Sequence, residues 1–221
     1  MKIWKLIIFN LIMPVYAFIF RLQARKYGEY LERFSAEAGI EGHASVLDVG
    51  CGNGALIKAF HSRGYRAAGV DFLPAMVAIA KRNLKKDPDV KVERADILSG
   101  LPFDTDSFDI AIASYVLHGM HPDERIRVYA EMSRVAGKTV IFHDYNQNRA
   151  FLTTVIEAIE GGDYFNFIKT AKKEMEKHFK SVRVIDVDKR AAWYVCEMPI
   201  EDKKAGGHTN GHSRSKKDIL Q

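Results

Sequence analysis

Apolar positions along this chain switch between two spacings, and each switch marks an element. Ser45–Val49 is a short apolar run ending in a glycine cluster, after which Ala55, Leu56, Ala59 and Phe60 recur at helical spacing. The same strand-then-helix unit returns. Residues 65–70 precede a helix through Met76, Val77, Ile79 and Ala80, residues 90–92 give a short third strand, and residues 108–113 precede a helix through Ile126, Val128, Tyr129 and Met132. Residues 139–142 make a fifth strand. Alternation of this kind specifies a parallel sheet wound by right-handed crossovers, because a helix must bridge each pair of parallel strands. After a long helical stretch over 151–179, residues 182–187 and 191–196 read as two strands separated by Asp188, Lys189 and Arg190, which predicts an antiparallel hairpin at the sheet's edge.

The two ends break this pattern. Residues 6–20 are apolar except for Asn10 and Pro14, and Lys2 and Lys5 precede them. No small-x-small cleavage site follows, and the run is shorter than the ~20 residues of a spanning helix, so neither an exported leader nor a membrane span is expected. Such a segment still has to be covered, by the domain, by a second copy or by a membrane interface, so residues 1–20 predict a peripheral membrane or dimer contact. Residues 21–34 read as an amphipathic helix. Residues 1–40 are thus a helical lid or interface, residues 41–200 the main domain, and residues 201–221, with Gly206, Gly207 and Gly211, a disordered tail. His208 and His212 lack a third ligand, and no metal is expected there.

Composition excludes several classes. With 221 residues, 47% hydrophobic and 28% charged, the chain is not disordered, collagen-like or a polytopic membrane protein. The net charge of +5 suits an anionic partner without requiring one. Its excess lies partly in the tail and around Lys172, Lys173, Lys177 and Lys180, a solvated face, so nucleic acid is not the expected partner. Cys51 and Cys196 match neither a metal spacing nor a disulfide scaffold, which makes a reducing, cytoplasmic setting the default.

Chemistry concentrates after the first strand. The run Asp48-Val49-Gly50-Cys51-Gly52-Asn53-Gly54 passes from strand to helix, where side-chain-free positions are expected to bring backbone amides and a helix start to a ligand. Asp71 closes the second strand seventeen residues after Gly54, where a carboxylate would accept from ribose hydroxyls. The glycines follow G-x-G-x-G rather than the dinucleotide spacing G-x-G-x-x-G, and Asp48 lies beside them. An acid there repels pyrophosphate and attracts an ammonium or sulfonium group.

With these blocks in order, residues 45–145 resemble the class I S-adenosylmethionine-dependent methyltransferases of small-molecule type. The resemblance implies a Rossmann-like seven-stranded α/β sheet, mostly parallel with an antiparallel C-terminal hairpin strand and helices on both faces, and S-adenosylmethionine as cofactor. It implies that Asp48 and the backbone of Gly50, Cys51, Gly52 and Gly54 hold the cofactor's amino acid portion. Asp71 would bind both ribose hydroxyls and Phe72 would lie against adenine. Leu73 departs from a commonly seen serine and forgoes a capping oxygen. Arg94-Ala95-Asp96-Ile97 is similar to the third block, with Asp96 accepting from the adenine amino group and the Ile97 amide donating to a ring nitrogen; a bare turn cap is the other reading of Asp96. Ser114-Tyr115-Val116-Leu117-His118 takes the place of the segment that floors the methyl-transfer pocket, with Ser114 at the cofactor. Gly119-Met120 replaces a histidine and aliphatic pair frequent in relatives.

For a hydroxyl, phenol or carbon-acid acceptor, an imidazole would assist by removing a proton. His118, after the fourth strand, is the first candidate and His143, ending the fifth, the second; either also fits a structural histidine. His121, before Pro122, reads as a helix entry. No nucleophile elbow, H-E-x-x-H or phosphate-binding G-x-x-x-x-G-K-[ST] occurs, so hydrolase and nucleoside triphosphatase readings fall. The expected function is methyl transfer to a small, apolar or aromatic acceptor, with the N-terminal helices and the segment around Gly161, Gly162, Asp163, Tyr164 and Phe165 as lid. The alternatives are a non-catalytic cofactor-binding partner subunit and a nicotinamide oxidoreductase, the latter disfavoured by the glycine spacing.

Overall fold

The apolar runs become strands whose burial reports their place in the sheet. A computed structural model describes residues 19–148 and 163–198. Helix α1 (Phe20–Ala38) leads into β1 (Ser45–Val49), α2 (Ala55–His61), β2 (Arg66–Asp71), α3 (Pro74–Asn83), β3 (Lys91–Arg94), β4 (Phe108–Ser114), α4 (Pro122–Val135), β5 (Ala136–Tyr145), α5 (Tyr164–Met175), β6 (Ser181–Asp188) and β7 (Ala191–Glu197). Among the described residues the strands form one seven-stranded sheet ordered β3-β2-β1-β4-β5-β7-β6. The first five pair in parallel, and β7 runs antiparallel to both β5 and β6. The hairpin therefore joins the sheet through its second strand, leaving β6 at the edge.

Period-two alternation divides the sheet's side chains between two cores. Val46, Ile110, Ile112, Ile141, Ile185 and Trp193 meet Tyr30 and Leu31 of α1, Ile57 and Phe60 of α2 and Val77 of α3. Leu47, Val49, Ala111, Val140 and Phe142 face the other way, onto Val128, Tyr129 and Met132 of α4 and Phe167 and Met175 of α5. Helix α1 is thus built into the domain core. Its Leu31 and Ala38 are as buried as the strands beneath them.

On the second face a fully buried arginine ties α4 to α5. Arg125 donates to Glu174 through two parallel bonds (Nε to Oε1 2.7 Å, Nη2 to Oε2 2.8 Å), to Asp163 at 3.0 Å and to the Met120 carbonyl at 2.8 Å. The Tyr129 hydroxyl adds a bond to Glu174 at 2.7 Å. The expected lid around residues 161–165 lies partly outside the described residues. Where it is described, Asp163 is held by Arg125 and Tyr164 is buried against Tyr145, so this part of the segment is core rather than cover. The tail at 201–221 and the apolar run at 1–18 also lie outside the described residues.

Candidate active site

The strand order reverses between β1 and β4, and in open α/β sheets a crevice opens there at the carboxyl ends. The loop after β1 closes tightly on itself. The amides of Gly50 and Cys51 both donate to the Val70 carbonyl (2.8 and 3.0 Å), that of Gly52 to Asp71 Oδ2 (2.9 Å), and that of Gly54 to the Cys51 carbonyl (2.9 Å). The Ala55 amide is taken by Asn53 Oδ1 at 3.1 Å. Positive φ at Gly50, Gly52 and Gly54 turns these amides onto β2 and the loop's own acceptors. A Cβ at Gly54 would come within 2.8 Å of Leu84, whereas one at Gly52 would meet nothing within 4 Å. The loop is packed on its inner side and open at Gly52.

What the loop offers is an acceptor. Asp48 is buried, and neither carboxylate oxygen has a hydrogen-bond partner among the described residues. Burial first, and the neighbouring Asp71 charge second, push its pKa up to about 8. An unpaired carboxylate at this depth is costly unless a cation or donor reaches it. The Cys51 thiol, in contrast, turns into the core against Gly69 and is held protonated by burial, so only its backbone faces the loop.

Asp71 ends β2 with both oxygens engaged, Oδ2 by Gly52 and Oδ1 by the Leu73 amide at 2.9 Å. The second bond fixes the entry to α3, whose N-cap residue, Leu73, carries no capping oxygen. Each carboxylate oxygen keeps a further lone pair for an incoming hydroxyl. Phe72 is exposed beside it. Asp96 caps the turn Ile97–Ser99 by accepting from the Leu98 amide at 3.0 Å, and its side chain remains exposed.

Helix α1 lies across the ends of the strands. Gln23 accepts from Asn53 (2.7 Å), the Tyr27 hydroxyl bonds Ser114 Oγ (3.0 Å), Tyr30 donates to Asp188 (2.7 Å), and Phe34 packs its ring against Trp193. Lys26 also pairs with Asp188. Beneath this helix, Ser114, His143 and Trp193 are cross-strand neighbours in one row.

The two candidate histidines differ sharply. Strand β5 extends past the expected 139–142 to Tyr145, so His143 is inside the strand rather than at its end. Its ring is buried under Tyr27, Tyr30 and Tyr115, its Nδ1 is 3.3 Å from Ser114 Oγ, and burial pushes its pKa down to about 4. That environment opposes gaining a proton. His118 is in the turn Leu117–Gly119 after β4, with Nδ1 2.8 Å from Asp144 Oδ1. Asp144 is fully buried and accepts as well from the amides of Leu117 (3.0 Å), His118 (3.3 Å) and Tyr145 (2.8 Å). With four donors converging on one carboxylate, the network assigns the His118 proton to Nδ1, which makes Nε2 the basic nitrogen. Asp144 escaped the sequence reading, although it directly follows His143.

Tyr115 joins the two histidines. Its φ of +55° is rare for a residue with a side chain, and strain of that kind collects at functional sites. The conformation lays its ring against His143 and Tyr145, with centroids 4.9 and 5.1 Å apart, and turns an edge to His118. The result is an aromatic rim beside the His118–Asp144 pair.

A family model described as a methyltransferase domain matches residues 46–138, the stretch from β1 to β5 that builds this crevice. Over this stretch the chain is similar to a methyltransferase domain. The ubiquinone biosynthesis O-methyltransferase of Hahella chejuensis is 28% identical over 158 residues, which is 69% of this chain and 64% of that protein. The chain spans just under two thirds of the length of that relative and of the Coxiella burnetii protein of the same name, 64% in each. Among solved structures, the fold is shared with a putative S-adenosyl-L-methionine-dependent methyltransferase from Methanococcus maripaludis (TM-score 0.65, 15% identity, 86% of this chain and 94% of that one). A SAM-dependent methyltransferase from Aquifex aeolicus shares it too (TM-score 0.60, 18% identity, 76% and 89%).

Proposed function

We propose that this methyltransferase carries a methyl group from S-adenosylmethionine to a small, apolar or aromatic acceptor, at a hydroxyl. The observation that carries the reading is Asp48, a buried carboxylate with no partner, in a loop whose amides are already spent. Such a loop suits a cationic amino acid and not a phosphate. Asp48 and the backbone of Gly50, Cys51, Gly52 and Gly54 would hold the amino acid portion, Asp71 the ribose hydroxyls, Phe72, Asp96 and the Ile97 amide the adenine, with Ser114 alongside. Bound S-adenosylmethionine supplies a methyl group on a sulfonium centre, activated for in-line displacement.

The chain's own share is orientation and one proton. His118 Nε2 takes the proton from the acceptor hydroxyl, and Asp144 keeps the ring in the required tautomer while balancing the imidazolium. The aromatic rings of Tyr115 and Tyr145 support an apolar or aromatic acceptor, as does the name of the Hahella relative. Residues 1–20 remain available for a membrane or subunit contact.

Calorimetric titration with S-adenosylhomocysteine is the direct test. Asp71→Ala removes the partner of both ribose hydroxyls and should weaken binding roughly 100-fold, at about 1.5 kcal/mol for each hydrogen bond to a charged group. Gly52→Val fills the open side of the loop and should abolish binding. Unchanged affinity in both variants removes the assignment, and a screen of phenols, quinones and carboxylates with labelled cofactor then identifies the acceptor.

Asp48 makes binding depend on pH. Its raised pKa of about 8 keeps it mostly protonated at neutral pH in the free protein. A cation beside it favours the ionised form, so binding releases a proton and affinity rises with pH, by up to about tenfold per unit below pH 8. Titrations between about pH 6 and pH 8 in buffers of different ionisation enthalpy measure both. A flat profile would place the cofactor's amino group elsewhere.

A further inference from the structure

We infer that Gln23 of α1 donates to the carboxylate of the cofactor's amino acid and makes the site select the complete nucleoside amino acid over its decarboxylated form. The inference rests on the proposed S-adenosylmethionine site and adds to it a residue from outside the glycine loop.

The need for a donor comes first. The amino acid portion carries an ammonium and a carboxylate, and each must find a partner on leaving water. Asp48 suits the ammonium and repels the carboxylate. The loop itself has little left to give, because the amides of Gly50, Cys51, Gly52, Gly54 and Ala55 are bonded to acceptors of the chain. Cations close by are committed as well. Lys58, in the first turn of α2, pairs with Asp87 at 2.6 Å, and Lys26 pairs with Asp188. Arg21 and Arg25 are exposed, and each is about 200° around the helix from Gln23, on the far side.

A chain of bonds then fixes which end of Gln23 is open. The Ala55 amide can only donate, so the Asn53 atom it reaches at 3.1 Å is Oδ1, and Asn53 must offer Nδ2 on its other side. Gln23 answers with Oε1 at 2.7 Å, which makes Nε2 the atom turned away from Asn53. Among the described residues Nε2 makes no hydrogen bond. Gln23 is half-buried, and one turn further on Tyr27 reaches Ser114, so one face of α1 borders the crevice both at the β1 loop and at the end of β4. Two N–H donors, oriented through Asn53 by the backbone, therefore stand at the loop's edge, where the ligand's carboxylate would otherwise lack one.

Calorimetric titration of the full chain with three nucleosides tests this. S-Adenosylhomocysteine carries both charged groups, its decarboxylated form keeps only the ammonium, and methylthioadenosine has neither. The wild-type protein should bind S-adenosylhomocysteine roughly 10- to 100-fold more tightly than the decarboxylated form, the range for one hydrogen bond to a charged group. Gln23→Glu should erase or invert that order. One oxygen of the new carboxylate still accepts from Asn53, while the other replaces the donor and repels the ligand's carboxylate. Affinity for S-adenosylhomocysteine should fall by the same factor, that for the decarboxylated form should hold or rise, and that for methylthioadenosine should not move, which also shows the variant to be folded. An equal loss for all three ligands would make Gln23 a prop for the loop, and an unchanged affinity for S-adenosylhomocysteine would put the carboxylate elsewhere; either result overturns the inference. So does a wild-type protein with no preference between S-adenosylhomocysteine and its decarboxylated form. A wild-type protein that binds none of the three refutes the proposed cofactor itself, and this inference with it.

Discussion

Replacing His118 by Ala is expected to lower kcat by about 10²- to 10⁴-fold on a hydroxyl acceptor, the usual contribution of a positioned general base, without changing affinity for S-adenosylhomocysteine. The separation follows from placement: His118 is in the turn after β4, whereas the groups proposed to hold the cofactor come from β1, β2 and the turn after β3. In the wild-type protein kcat/KM should rise with pH as the imidazole loses its proton, and this limb should vanish in the variant. Asp144→Asn probes the same pair from behind. The amide can present a donor to His118 Nδ1, which favours the wrong tautomer, so kcat should fall and the pH profile should flatten. An Asp144 that merely supported the turn would lower thermal stability and leave the profile's shape alone. If His118→Ala kept kcat within a factor of a few, proximity alone would account for the rate and the base would have to be struck out.

Arg125→Met is expected to be the most destabilising single change, at about 3–5 kcal/mol, because it strands the carboxylates of Glu174 and Asp163 in a site from which water is largely excluded. For a domain of this size each kcal/mol shifts Tm by about 2–4 °C, so the melting point should drop by roughly 10 °C. Arg125→Lys should recover little, since one ammonium cannot reproduce the paired bonds of a guanidinium to Glu174. Thermal melts of the two variants measure this directly. A shift of only a degree or two would mean that α4 and α5 are held by their apolar contacts alone. The guanidinium also holds the Met120 carbonyl, directly after the turn bearing His118, so Arg125→Met should cost activity below its melting point as well.

The strands were readable because each is a bounded apolar run, and crossover helices left parallel pairing as the economical solution. Their order across the C-terminal half was carried by a subtler signal. β7 is buried at every position from Ala191 to Cys196, as an interior strand must be, while β6 alternates between buried and exposed positions as an edge strand does. Asp48, Asp71 and the glycine loop were legible because neighbours in sequence are also neighbours in space there. The His118–Asp144 pair was not, since its members are 26 residues apart and meet only when β5 lies beside β4. His143 shows the opposite failure. A histidine near the end of a strand reads as a rim residue, yet β5 continues two residues further and α1 folds over it. No local pattern announces which helix will cover a strand's end. The inward turn of the loop amides was hidden for a related reason, because glycine spacing fixes where the backbone can bend and not which acceptor each N–H will find.

The self-closed loop after β1 is a finished receptor before any nucleoside arrives. Fixing a mobile backbone costs about 1–2 kcal/mol per residue, and here that loss is absorbed while the chain folds rather than at the moment of capture. Association should accordingly proceed without a slow ordering phase.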